Sequence, residues 1–137
     1  MLILSAPLAG AVASQLSPVF DIEPGDLKNL LVEAQFARAG GGTSVDAYLQ
    51  TTLDGGATWI DIRNFHFTTT SLNQIVNHSS ATPVTTAVTP TDGSMTANTS
   101  IDGILGSQIR IKYTVVGTYT GASLLAIYAA GCRLRAP

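Results

Sequence analysis

Few residues in this 137-residue chain could do chemistry. His66 and His78 are its two histidines, and Cys132 is its single cysteine. A Ser-His-Asp triad can be drawn on paper for any Ser-rich chain, because a triad is defined by geometry rather than order. No Gly-x-Ser-x-Gly elbow is present to lift a serine nucleophile out of a strand-to-helix turn. His66 sits in Phe65-His66-Phe67, where alternation turns it away from both rings. His78, between Asn77 and Ser79, reads as part of a polar turn. Neither histidine has the closely spaced His or carboxylate partners of a metal motif. Asp61 and Asp54 could contact a cation, but hairpin aspartates commonly serve the turn itself. Cys132, between Gly131 and Arg133, reads as a small buried hydrophobe rather than a nucleophile. No phosphate loop or dinucleotide fingerprint occurs. The expectation is a protein without catalytic residues, metal or cofactor.

The sharpest local motif is Thr52-Leu53-Asp54-Gly55-Gly56-Ala57-Thr58-Trp59. It resembles the Asp-box of sialidase-like propellers, a Ser/Thr-x-Asp-x-Gly-x-Thr-Trp pattern. Physically it is a hairpin lock. Asp54 can accept turn amides, Gly55 or Gly56 can take the positive φ of a tight turn, and Trp59 can fold back as an apolar anchor. The motif occurs once, and one domain of this size cannot supply several blades, an arginine cluster and a Tyr nucleophile. Asp54, Gly55, Gly56, Thr58 and Trp59 are therefore expected to determine fold, not activity.

The elements around this motif alternate with period two. Leu30, Val32, Ala34 and Phe36 face one way, Glu33 and Gln35 the other. Val45, Ala47, Leu49, Thr51 and Leu53 oppose Asp46, Tyr48 and Gln50, and Ile109, Ile111, Tyr113 and Val115 oppose Arg110, Lys112 and Thr114. Each run reads as a strand with one buried face. Turns are signalled at 40–42, 54–56, 92–93, 102–103 and Gly117. Residues 26–30 are the one place where a short helix could start. The chain is expected to be all-β, a two-sheet antiparallel sandwich, jelly-roll-like or immunoglobulin-like. Residues 1–20 read as an extended N-terminal arm, pinned by Pro7 and packed on its own domain or on a neighbour, and residues 21–137 as a single domain. Their apolar start superficially resembles a signal peptide but has no Lys or Arg before it. Residues 79–100, rich in Thr and Ser, read as an extended arm or edge strand laid over a surface. Residues 124–130 are apolar on both faces, which requires either a central strand or cover by another subunit.

Composition excludes further classes. Charged residues are only 12% of the chain against a usual ~25%. Seven Lys+Arg and nine Asp+Glu give a net charge of −2. That charge offers no footprint for nucleic acid. The apolar fraction of 45% is too high for a disordered chain. No stretch is long enough for a membrane helix. A single cysteine cannot make an intrachain disulfide. Sparse charge promotes association, so much of the surface is expected to be covered by partners.

Several phrases carry a wider resemblance: 26–30, Gly42-Thr43-Ser44-Val45-Asp46-Ala47, Asp54-Gly55-Gly56-Ala57-Thr58-Trp59-Ile60-Asp61-Ile62, Asn64-Phe65-His66-Phe67-Thr68-Thr69 and Asp102-Gly103-Ile104-Leu105-Gly106. Along nearly its full length the chain resembles a family of small virion structural proteins of tailed bacteriophages and prophages of proteobacteria. The resemblance implies a structural role in the virion and no enzymatic one. The leading expectation is a capsid decoration, or cement, protein, made in the host cytoplasm and bound to itself and to a major capsid protein. The alternatives are a tail component and a carbohydrate-binding adsorption module using Tyr48, Tyr119 or Tyr128. Candidate assembly contacts are Leu2, Ile3, Leu4, Pro7 and Leu8 of the arm, Val84 and Val88 of the Thr-rich segment, and Leu124 and Tyr128. On this reading, removal of residues 1–14 would abolish particle binding without unfolding the domain.

Overall fold

The computed structural model describes residues 1–25 and 28–136. Among the described residues twelve strands follow in chain order: β1 (Leu2–Pro7), β2 (Val12–Leu16), β3 (Phe20–Ile22), β4 (Asn29–Ala37), β5 (Gly40–Gly41), β6 (Ser44–Thr52), β7 (Ile60–Phe67), β8 (Leu72–Ser79), β9 (Gln108–Val116), β10 (Tyr119–Thr120), β11 (Leu124–Ala130) and β12 (Leu134–Arg135). The chain is all-β, and no helix occurs among the described residues. Of the stretch 26–30, Asp26 and Leu27 lie outside the described residues, and Asn29 and Leu30 open β4 rather than a helix.

Ten of the strands form two antiparallel sheets packed as a sandwich, and β5 and β10 pair with each other as a separate two-stranded ribbon. One sheet has the order β1-β11-β4-β8. The other has the order β12-β3-β9-β6-β7, with β2 also paired to β9. Alternation explains the core. Leu30, Val32, Ala34 and Phe36 of β4 are buried against Val45, Ala47 and Leu49 of β6 and Ile109 and Ile111 of β9. Phe36 stacks on Phe67 at 5.0 Å and meets Tyr119 edge-on at 5.7 Å. The Tyr119 hydroxyl donates to the Thr68 carbonyl at 2.7 Å, which satisfies its buried polar end. Leu53 departs from its expected face: β6 ends at Thr52, and Leu53 is exposed in the turn.

The first twenty residues are woven into both sheets. β1 pairs with β11, and β2 pairs with β9. A register shift between Leu2 and Leu4 turns two consecutive residues, Ile3 and Leu4, toward the core. β11 is thereby central, flanked by β1 and β4. This accounts for its apolar run: Leu125, Ile127 and Ala129 point inward, and Tyr128 points out.

Residues 80–107 have no strand of their own but cover an edge. Thr91 and Thr99 offer carbonyls to the Asp61 and Asn64 amides at 2.9 and 3.0 Å, and the Ile101 amide reaches the Ile62 carbonyl at 2.8 Å. Arg63 and Ser100 form an antiparallel bridge. The free edge of β7 is closed this way, as natural sheets commonly protect their edges.

Candidate functional site

The Asp-box hairpin between β6 and β7 closes through two side chains, those of Thr52 and Asp54. The Thr52 hydroxyl donates to Asp54 Oδ1 at 2.9 Å and accepts the Gly56 amide at 2.9 Å. Asp54 Oδ1 also accepts the Thr58 amide at 2.8 Å. The Thr58 amide, followed by the Thr52 hydroxyl, holds the Asp54 carboxyl below the usual carboxylate range. Gly55 and Gly56 take φ of 75° and 103°, which β-branched or bulky residues avoid. Trp59 is 9% exposed, and the Arg110 guanidinium lies 4.2 Å from its ring centroid. The polar contacts of Thr52 and Asp54 close the turn, and Trp59 packs beneath it. Trp59→Ala is expected to cost about 3 kcal/mol, through lost burial and a displaced Arg110. Urea unfolding at neutral pH checks it.

A polar cluster lies beside this hairpin, and its centre is Asp61. Asp61 is 1% exposed. Its Oδ1 accepts from Gln50 Nε2 at 2.8 Å and from the Gly93 amide at 3.0 Å. Its Oδ2 accepts from the Thr91 hydroxyl at 2.9 Å and from the amides of Gly93, Ser94 and Met95 at 2.8, 3.1 and 3.3 Å. Successive amides converging on one anion form a nest, and Gly93 at φ 86° lets the backbone make it. Gln50 passes the network on, because its Oε1 accepts Arg110 Nε at 2.8 Å and its Nε2 also donates to Asp92 Oδ1 at 2.6 Å. Lys112 Nζ reaches Asp92 at 3.1 Å. Burial opposes the Asp92 charge, but Gln50 and Lys112 outweigh it and leave its pKa below the ordinary value. The cluster fastens residues 90–96 over the outer face of β6 and β9. Asp61 is occupied by protein donors, so it has no lone pairs to spare for a cation. Spacing did not reveal this, since all the donors to Asp61 except Gln50 come from residues 91–95, about thirty residues downstream.

The histidines do not share a site. His66 Nδ1 lies 2.8 Å from Asp46 Oδ1, which also accepts Asn64 Nδ2 at 3.1 Å. No Ser hydroxyl bonds to that ring among the described residues. His78 is not in a polar turn. It ends β8, 1% exposed, opposite Leu30. Cys132 is half-buried, and burial raises its thiol pKa, which disfavours the thiolate. Among the described residues no three His, Cys, Asp or Glu side chains gather as a metal site.

The candidate contacts divide into two groups. Ile3, Leu4 and Leu8 are buried in the chain's own core, so they are not a free arm reaching for a neighbour. Leu2 and Pro7 point out from β1. Val84 is exposed, and Val88 and Leu124 are half-buried. Tyr48 and Tyr119 are buried, which leaves Tyr128 as the exposed member of the three tyrosines considered for a glycan platform.

The outer face of the four-stranded sheet carries a cluster of exposed apolar side chains. Tyr128 is 39% exposed and Ile75 64% exposed, with Met1, Leu2 and Leu31 beside them. Register explains the cluster: Glu33 sits between Tyr128 and Ile75, and Leu31 sits between Ala130 and Asn77. Met1, Leu31, Glu33, Ile75, Tyr128 and Ala130 line a shallow groove of about 240 Å³. Sequence reasoning missed Leu31 and Ile75. The doubled leucine at 30–31 was the signal, since alternation must turn one of the pair outward.

The fold and its surface define an antiparallel β-sandwich with a locked hairpin, a strapped edge and one apolar sheet face. Comparison with known proteins found no match: no family model, no curated protein and no solved structure aligns with the chain.

Proposed function

We propose that this protein is a structural component of a tailed-phage virion, acting as a capsid decoration protein. It binds itself and the major capsid protein and stabilises the head. The observation that carries this reading is the apolar face formed by Met1, Leu2, Leu31, Ile75 and Tyr128. Contiguous apolar patches on soluble domains mark interaction surfaces. The low charge of the chain supports the same reading. Burial of such a face contributes roughly 25 cal/mol per Å² before association costs. The groove itself offers no nucleophile or metal cluster, only one carboxylate among aliphatic and aromatic side chains.

The test is the copy number of the chain in purified particles, with heads and tails separated and quantified by mass spectrometry. Hundreds of copies travelling with heads support decoration. A few copies confined to tails replace it with a tail component, and absence from both removes the virion reading. The groove is tested separately by Leu31→Glu. This variant is expected to lose at least tenfold in head binding, the loss of about 1.4 kcal/mol. It is expected to keep the parent urea midpoint, because Leu31 already faces solvent. Unchanged binding would move the contact to another face.

A further inference from the structure

His78 joins the two sheets through a single strap. Its Nδ1 donates to the Ile101 carbonyl at 3.1 Å, and the Ile101 amide donates to the Ile62 carbonyl of β7 at 2.8 Å. One residue of the strap thus ties the last turn of β8 to the edge of β7. A carbonyl accepts only, so Nδ1 carries the proton. His78 Nε2 is buried and has no partner. In the neutral ring that nitrogen is an unpaired acceptor, which costs less than a charged donor left unpaired. In the charged ring it becomes a donor with nothing to meet, inside a site that excludes water.

The charged groups around the ring do not rescue the cation. From the strap, Asp102 already accepts the Ser79 amide at 2.7 Å, the Thr82 hydroxyl at 2.8 Å and the Gly103 amide at 2.8 Å. From β7, the Arg63 cation opposes a second positive charge. β4 brings uncharged Asn29 and Leu30 opposite the end of β8. Lys28, which leads into β4, sends its ammonium to the Gly106 carbonyl at 3.2 Å. Burial, reinforced by Arg63, holds the ring below the usual histidine range, against the opposing effects of Ile101 and Asp102.

We propose that protonation of His78 unlatches the strap at 98–102 and uncovers the edge of β7, so that the sandwich carries an acid-sensitive clasp. The opened state lets water reach Nε2 and relieves the unpaired charge. It also frees the Ile62 carbonyl and the Asn64 amide, which the strap now occupies. The direction follows from linkage. A closed ring of lowered pKa binds fewer protons than an open ring titrating near ~6.5. The closed state is therefore fully favoured above about pH 6.5 and loses ground as pH falls below it.

Amide hydrogen exchange tests the clasp, with rates corrected for the intrinsic effect of pH. Between about pH 7 and about pH 5, protection of the Ile101 and Asn64 amides is expected to fall about tenfold, because the open ring takes up its proton over that range and the closed ring resists it. The amides of β6 are expected to hold. In His78→Gln, whose side chain can still donate to the Ile101 carbonyl but does not titrate, the fall is expected to vanish. A fall of the same size in His78→Gln would assign the effect to His66 or the carboxylates and overturn the proposal. No fall in the parent protein would overturn it as well. If His78→Gln does not fold, the parent His78 ring is followed by NMR. Its protonation must track the loss of Ile101 protection, and a ring that titrates under an intact strap sinks the clasp.

Discussion

Asp61→Asn is expected to destabilise the protein by about 3–5 kcal/mol, although it keeps the shape of the side chain. The reason is the direction of every bond the carboxylate makes. Oδ1 receives Gln50 Nε2 and the Gly93 amide, and Oδ2 receives the Thr91 hydroxyl and three amides. All but the hydroxyl are donors that cannot reverse. An asparagine must therefore aim its NH2 group at N–H groups in either orientation. Gln50 cannot relieve this by turning over, because its Oε1 already accepts Arg110 Nε. A buried donor facing a donor costs the desolvation of both. The strap at 90–96 would peel away so that its amides could find water. Urea unfolding measures the stability, and exchange of the Gly93, Ser94 and Met95 amides reports the peeling. A variant within about 1 kcal/mol of the parent, with those amides still protected, would show that the nest is not what holds the strap.

Much of the sandwich was legible because period-two alternation is a local signal. The inward sets of β4 and β9 and the lock of Asp54 and Trp59 depend only on neighbours in sequence. The polar centre was not legible, since Asp61 meets residues 91–95 through long-range contacts. His78 was misread for the same reason: Asn77 and Ser79 look like a turn, and only Leu30 and Ile101 reveal burial. The apolar groove fell between these cases. Leu31 and Ile75 are visible as residues, but only the pairing of β4 with β8 and β11 sets them side by side.

Removal of residues 1–8 is expected to unfold or aggregate the protein, in contrast to the arm reading of this segment. β1 contributes Ile3, Leu4 and Ala6 to the core, and Leu8 follows it there. Burial of each large aliphatic side chain is worth about 1.5–3 kcal/mol. Three of them together amount to about 5–9 kcal/mol, against a typical total stability of about 5–15 kcal/mol. The loss also strips β11 of a partner and exposes the edge of its most apolar strand. The expected result is a chain that elutes as aggregate and shows no cooperative melting transition. Leu2→Ser on the outward side of the same strand should shift stability by no more than about 0.5 kcal/mol. That contrast separates folding from contact. A soluble truncated chain with the parent melting temperature would restore the detachable arm. If it unfolds, loss of particle binding on truncation says nothing about an interface, and only outward-facing substitutions such as Leu2→Ser and Leu31→Glu can locate one.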